Sequence, residues 1–512
     1  MKQHTVHRGR IGAALPLLAG LICAQAVATL FVRQSNELML KQIQALTAAG
    51  WMAIPAGPAV AGLKTWGAAL RGGLFYTLSV GAGLTLLTWA AVGTWQKLLR
   101  PDHHVLKVFS VIWLIVFAGV WMGMFVAVNL NGYTLFPSLF IILIPICTSL
   151  AAVRRGPSAE IGSTRWLFLI PVLSMVLLTG LWTAGTMVTH LKADLFIAIR
   201  DNILLSNPMG RKINDFYYRN TLYAAQTFKS FNQKTIRVYR ALDFSDSRLA
   251  QRLDAALTVR DILKVPAPCP ADMVVRQSQG NLHLESAFGD ELDVASTEFF
   301  KDPNRWLAAL SDLSDRFAPL RRLTLYTLLI AFPTLLFILV YGVLYFGAGT
   351  FLAPRKAVPT ASALCLVIGL GLFIPMLQGR PAVVGLQDIN SALASSDWHR
   401  CVAALRQIEK HKIDIVQYPQ YRRLLRSPLV VQRYWLARAL AVSHSAATYA
   451  DLLAMTADPH PNVVCQAYFA LGQRGNPAAI QRIRKQMLQS NHWYTQWYGY
   501  HALRKLGWHQ QP

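Results

Sequence analysis

Residues 108–153 read VFSVIWLIVFAGVWMGMFVAVNLNGYTLFPSLFIILIPICTSLAAV, without one Asp, Glu, Lys or Arg. Crossing the hydrocarbon core of a bilayer takes about 20 mostly apolar residues in a helix. The run is too long for one helix. At its centre, Asn129-Leu130-Asn131-Gly132-Tyr133 carries the Asn-Gly chemistry of a turn. The reading is two antiparallel membrane helices, 108–128 and 134–153, joined by a tight turn.

Working outward, the same criterion picks out further runs at 11–32, 72–95 and 166–191, and a later pair at 323–346 and 357–379. The expected fold is mainly α: a polytopic bundle of about seven membrane helices. Five lie in residues 1–191 and two in 321–379, with a small α+β insertion (192–320) and a C-terminal helical domain (390–512). Composition agrees. Charged residues are 15% of the chain, against roughly 25% in soluble domains. Hydrophobic residues are 54% and the mean hydropathy is +0.33.

The net charge of +25 raises the question of nucleic acid. Lysines and arginines collect instead in short loops beside apolar runs, as the positive-inside rule describes, so membrane lipids are the expected partner and nucleic acid is not. Residues 1–10, the Lys97/Arg100/Lys107 loop, the Arg154/Arg155/Arg165 loop and the Arg355/Lys356 loop alternate with the uncharged turn at 129–134. Gln34–Arg71, read as a loop, carries Lys41, Lys64 and Arg71 and weakens the bias without reversing it. The expectation is a bacterial inner membrane, a cytoplasmic N-terminus, and residues 192–320 and 380–512 in the periplasm. Ala24-Gln25-Ala26 has the small residues of a signal-cleavage site, but the apolar run continues through Val27–Val32, so an uncleaved helix is expected.

In the insertion, Lys192–Leu205 reads as a continuation of the fifth helix and Thr221–Leu242 as a further helix. Met273–Ser286 reads as a β-hairpin about Gln279-Gly280-Asn281, and Asn304–Leu320 as a helix feeding the sixth span. The C-terminal part repeats itself. Ala-Leu pairs stand at 404–405, 439–440, 470–471 and 502–503, spaced by 35, 31 and 32 residues. Three positions before each pair stand Cys401, Leu436, Ala467 and Gly499, on the same helix face. Tyr449, Leu452 and Leu453 match Ile480, Ile483 and Arg484 in a second helix per unit, and Asp458-Pro459 and Gly475-Asn476-Pro477 punctuate.

Pro461-Asn462-Val463-Val464-x-x-Ala467-x-x-Ala470-Leu471-Gly472 resembles a HEAT repeat, and the resemblance extends from Asp397 to Trp508. The apolar spans and the 206–219 stretch are likewise similar to multi-pass bacterial membrane proteins that carry such repeats. The resemblance implies an α-solenoid whose extended surface takes a protein partner. It implies no catalytic residue.

Chemistry-bearing motifs are scarce. The spans hold essentially no ionisable residue, which disfavours a proton-coupled pump or a charged filter; Gln25 and Asn129 are polar but neutral, and His190 ends the fifth run. His103-His104 suggests a metal, yet adjacent helix positions project about 100° apart, and an interfacial loop is the plainer reading. Gly81-Ala82-Gly83 lacks the strand–helix context of a phosphate loop and reads as close helix packing. Asp290-Glu291-x-Asp293 lacks the calcium-loop pattern and reads as a solvated loop. The six cysteines form no C-x-x-C pair, and neither a disulfide framework, a metal site nor a cofactor is expected.

Two stretches remain as candidate binding sites. Arg211, Lys212, Asp215, Tyr217, Tyr218 and Arg219 crowd a segment just beyond the fifth run, where guanidinium groups suit phosphate or carboxylate. Trp493 and Trp497, with Tyr494, Tyr498 and Tyr500, concentrate aromatic surface in the last repeat, the residue types that dominate interfaces. The leading functional expectation is a membrane scaffold or assembly protein. A transporter of a neutral or lipidic substrate, or a membrane enzyme using residues 206–219 on a lipid-linked substrate, stands as the alternative.

Overall fold

A computed structural model describes residues 2–98, 104–154, 165–188, 195–221, 226–378 and 384–511. Among the described residues, six helices are long and apolar enough to cross a membrane: Leu15–Ala48, Trp66–Leu98, Lys107–Val128, Leu135–Arg154, Ala318–Phe351 and Arg355–Ile374. The fifth expected run forms a helix over Arg165–Val188, within which Leu169–Trp182 is an apolar stretch. Outward positions of these helices are large and apolar: Ile115 is 66% exposed, Ile330 70% and Val343 72%. Exposed apolar surface on this scale needs a lipid solvent, and the chain is a membrane protein.

Small and neutral polar residues hold the bundle together, as lipid removes the hydrophobic drive between helices. A Cβ on Gly81 would lie 2.6 Å from Cβ of Ala24, and one on Gly83 2.5 Å from Cγ2 of Thr327, so these glycines seat the helix Trp66–Leu98 against Leu15–Ala48 and Ala318–Phe351. Gln25 links the first two spans. Its Nε2 donates to the Leu70 carbonyl (2.9 Å) and its Oε1 accepts from Thr77 Oγ1 (2.9 Å), where the second span widens into a π-turn over Thr77–Gly81. Asn129 closes the central hairpin, its Oδ1 accepting from Thr134 N at 2.8 Å. The helix Ala318–Phe351 lies against Trp66–Leu98, the helix Arg355–Ile374 against Ala318–Phe351, and the Arg165–Val188 helix against Arg355–Ile374.

The first apolar run belongs to one helix, Lys2–Ala48, so the expected loop from Gln34 begins as helix. Hydropathy stops at Val32, but Met39, Ile43 and Leu46 continue on one helix face and bury against Val238, Leu263 and Val265 of the insertion.

The insertion is built on a five-stranded sheet in the order β2-β1-β3-β4-β5, with β1 (Arg237–Leu242), β2 (Ile262–Lys264), β3 (Met273–Ser278), β4 (Asn281–Ser286) and β5 (Glu291–Ala295). β1 runs parallel to both neighbours, with the helix Ser247–Thr258 crossing from β1 to β2, while β3, β4 and β5 are antiparallel. The β3–β4 hairpin turns at Gln279-Gly280, both at positive φ, as a two-residue turn requires. Two expectations are corrected. Thr221–Leu242 is not one helix: short 3₁₀ turns at Gln226–Phe228 and Phe231–Gln233 lead into β1. The acidic 290–293 cluster is a loop only at Asp290, because Glu291 and Asp293 lie on β5 with their side chains exposed while Val294 is buried. The expected 304–320 helix occurs in two pieces, Pro303–Leu313 and the start of the sixth span at Ala318.

Beyond residue 384, the helices Trp398–His411, Val430–Leu440, Pro461–Arg474 and Trp493–Lys505 each pack on the next, and Ala446–Met455 and Ile480–Gln489 lie against them. All four Ala-Leu pairs are buried, and so are Cys401, Leu436, Ala467 and Gly499. Gly472 lets consecutive helices approach, since a Cβ there would meet Cα of Ala502 at 3.1 Å.

The soluble parts gather at one end of the membrane helices. Asn131, in the hairpin turn, donates from Nδ2 to the Asp315 carbonyl at 3.0 Å. Gln496 bonds both the N–H and the carbonyl of Ala56, and Gln510 does the same at Met52. Tyr500 donates to Asp261 (2.5 Å), and Arg504 pairs with the same carboxylate (3.2 Å). At the far end, Gln96 on the second span reaches the Ala152 carbonyl on the fourth (3.1 Å).

Candidate functional site

The two stretches singled out in the sequence, about 270 residues apart, meet. The segment 200–220 runs across the N-terminal halves of the four stacked C-terminal helices and bonds to each in turn. The contacts begin in the π-turn Arg200–Leu204. Asn202 Oδ1 and His399 Nε2 lie 3.1 Å apart. The Arg200 guanidinium sits 4.1 Å from the Tyr434 ring centre and donates to its hydroxyl at 2.7 Å. The buried carboxylate of Asp201 accepts from Trp435 Nε1 at 2.7 Å.

The next element, Pro208–Asn220, is a helix for local reasons. Pro208 holds the first helical position, and the Asn207 side chain caps it by accepting from Gly210 N at 2.7 Å. Only glycine fits at 210, because a Cβ would lie 2.0 Å from the Ile203 carbonyl. Its inward face is polar. Asn214, 1% exposed, donates from Nδ2 to Oδ1 of Asn462, 6% exposed, at 2.9 Å. Asp215 pairs with Arg219 (3.2 Å) and with buried His492 (3.5 Å). Arg219 also donates to Asn491 Oδ1 (3.2 Å), and the Tyr218 ring packs 4.5 Å from that of Tyr494. Tyr494 in turn stacks parallel to Trp497 at 6.3 Å.

Electrostatics follow from this packing. The hydrogen bond from His492, backed by Arg219, overcomes desolvation and holds the Asp215 carboxyl down at about 2. Burial pushes His460 down to about 4 despite nearby Asp458, with Arg433 and Arg211 acting the same way. The neutral ring is the form that accepts the Asn462 N–H on Nδ1 (3.3 Å) and caps the Pro461–Arg474 helix. Burial also raises the Tyr218 phenol to about 12 and that of Tyr494 further.

Of the candidate residues, Asp215, Tyr218, Arg219 and Trp497 share this junction. Trp493 faces the other way, against the core that joins the first helix to the sheet. Arg211 is half-buried beside His460. Lys212 and Tyr217 point outward, Tyr217 with its ring 6.4 Å from that of Phe75 on the second span. Sequence reading missed Arg200, Asp201, Asn214, His399, Tyr434, Trp435, His460, Asn462 and His492, which carry most of the bonds. The signal for one of them was present: a lone Asn on the polar side of a strongly amphipathic helix.

A second surface adjoins this junction on the same helices, backed by its Trp435, which is itself buried. Arg406 and Arg438 each approach the Trp435 ring to 5.1 Å, Arg438 and Lys505 approach Phe469 to 5.7 and 5.0 Å, and His501 packs against Trp497 at 4.3 Å. Arg438 is also paired with Glu409 at 2.6 Å. The result is a ladder of cations and aromatic rings across four successive helices. Among the described residues no cluster of His, Cys, Asp and Glu is arranged to hold a metal; His103 and His190 lie outside them, and of His104 only the backbone is described. Set against described protein families, curated proteins and solved structures, the chain has no match.

Proposed function

We propose that this chain is a seven-span scaffold of a bacterial inner membrane that presents a HEAT-like helical-repeat face to a protein partner in the periplasm. The observation that carries the reading is the line of half-buried Arg406, Arg438 and Phe469 and exposed His501 and Lys505, backed by the buried Trp435 ring. One line of arginine, lysine and aromatic side chains continues from helix to helix, in the composition of interface hot spots. Stacked repeats generate such extended faces without any catalytic pocket.

The shared end of the soluble parts supports the compartment. Residues 49–65, the 129–134 turn, the insertion and the C-terminal unit are tied together at one end, in keeping with an odd number of crossings before each soluble part. Seven spans satisfy this. The far end carries Lys97, Arg154, Arg355 and Lys356, the mark of a cytoplasmic face. The C-terminal residues 390–512 hold 15 Lys and Arg against 5 Asp and Glu, which favours an acidic partner surface.

Photo-crosslinking amino acids placed at Phe469 and His501 in cells test the reading, with Gln481, exposed on the Ile480–Gln489 helix, as control. A discrete protein adduct from the first two positions and none from Gln481 is expected. Equal labelling at all three, or none at Phe469 and His501, contradicts the scaffold.

A further inference from the structure

The helix Pro208–Asn220 is inside-out for a water-soluble surface. Its polar side faces the protein through Asn214, Asp215 and Arg219. Its apolar side faces outward: Met209 is 68% exposed, Ile213 53% and Phe216 39%. At about 100° per residue these three fall within an arc of roughly 60°, one turn apart along the axis. Lys212 and Arg219 border that arc on one flank and Tyr217 on the other. An amphipathic helix with an apolar stripe, basic residues at its margin and aromatic rings beside it is the pattern of a helix lying in a membrane surface.

Both ends of the helix are tied to membrane spans, which decides what covers the stripe. On its N-terminal side, Ala198, Ile199 and Ile203 pack with Trp182 of the fifth helix and Phe373 of the seventh. On its C-terminal side, Arg71 donates to Asn220 Oδ1 at 2.9 Å, and Phe75 packs near Tyr217, both at the head of the second span. A helix strung between the same-side ends of spans lies at the level where they leave the lipid. Its outward stripe therefore meets the bilayer and not bulk water.

We infer that Pro208–Asn220 is an in-plane membrane helix whose Met209, Ile213 and Phe216 side chains enter the boundary of the adjacent lipid leaflet while Asn214, Asp215 and Arg219 grip the C-terminal unit. Lys212 spans the two environments, its stem over apolar surface and its ammonium at the phosphates. The helix thus fastens the stacked C-terminal helices to the membrane surface at a fixed height. The inference rests on the flanking helices being spans and not on the existence of a protein partner.

The test uses the full chain in phosphatidylcholine nanodiscs. Ile213→Cys, Met209→Cys and, as a water-exposed control, Gln481→Cys are each spin-labelled, and the signal of the unsubstituted chain labelled in parallel is subtracted. Collision rates with oxygen, which concentrates in lipid, and with a polar nickel chelate, which stays in water, are then compared. The labels at 209 and 213 are expected to favour oxygen several-fold relative to the label at 481. The same ratio at all three sites places the helix in water and overturns the inference. Labels at 209 and 213 shielded from both reagents would mean that protein covers the stripe, and would overturn it too.

Discussion

Replacing Asn462 by Leu should loosen the junction between the 200–220 segment and the C-terminal helices. Asn214 and Asn462 are both buried, and one bond, Nδ2 to Oδ1 at 2.9 Å, joins them. Asn214 Oδ1 has no partner of its own among the described residues, so Asn462→Leu leaves the whole Asn214 amide unpaired at 1% exposure. Burying such a group unsatisfied costs about 1–3 kcal/mol. The better helix propensity of Leu in the first turn returns at most about 0.7 kcal/mol. Desolvation wins, and a net loss of about 1–2 kcal/mol is expected. The companion change Asn214→Leu removes the orphaned amide at nearly constant shape. The double variant should therefore recover most of the loss, since apolar replacement of both partners is close to neutral. Hydrogen exchange of the 208–220 amides on the full chain in detergent measures this locally, without assuming all-or-none unfolding. Exchange should quicken by about 5–30-fold in Asn462→Leu, the factor that 1–2 kcal/mol represents, and fall back in the double variant. If the single variant exchanges like the unsubstituted chain, or the double is as fast as the single, the junction is not held as described.

Other consequences can be checked alongside. His460 is held down at about 4 by burial, so on acidification the unfolded chain takes up its proton first, near 6.5. The stability it confers is complete above that value and is lost progressively as pH falls toward 4, about 2 kcal/mol of it by pH 5. The thermal midpoint in detergent should drop over this window, and His460→Asn, which keeps a capping oxygen, should lose most of the dependence. Gly83→Val should reduce the yield of folded, monodisperse chain on size exclusion, because its Cβ would meet Thr327 at 2.5 Å; unchanged yield would count against the contact between the second and sixth spans. Residues 390–512 expressed alone should give a helical circular dichroism spectrum, with a lower melting temperature than within the whole chain, because Ile54 and Leu205 complete the same core. A strand-dominated spectrum would refute the repeat reading.

How much of this could be read from residues depends on whether the governing interaction is local. The hairpin of residues 108–153 was legible, because charge-free length and an Asn-Gly turn act over neighbours. So were the positions three before each Ala-Leu pair, since helix geometry forces them onto one face, and all prove buried. β1 was not legible. Val238 and Tyr239 are buried by pairing with β2 and β3, which lie tens of residues downstream, and Thr221–Leu242 on its own carries apolar positions at helical spacing. The extension of the first helix to Ala48 escaped for a related reason. Hydropathy measures lipid contact, whereas Met39, Ile43 and Leu46 bury against protein. The junction itself escaped most completely. Asp215 and Arg219 read as free charges for a ligand, but their partners His492 and Asn491 belong to a helix boundary some 270 residues away.

The measurement that tests the account most directly is sidedness, because the shared end of the insertion and the C-terminal unit underlies the ladder, the junction and the surface helix alike. Alkaline phosphatase and a cytoplasm-only fluorescent protein would be fused in the Gln279-Gly280 turn, at Lys356 and after Trp508. The account predicts active phosphatase and no fluorescence at the first and third positions, and the reverse at Lys356. Opposite sidedness for Gly280 and Trp508 would contradict it.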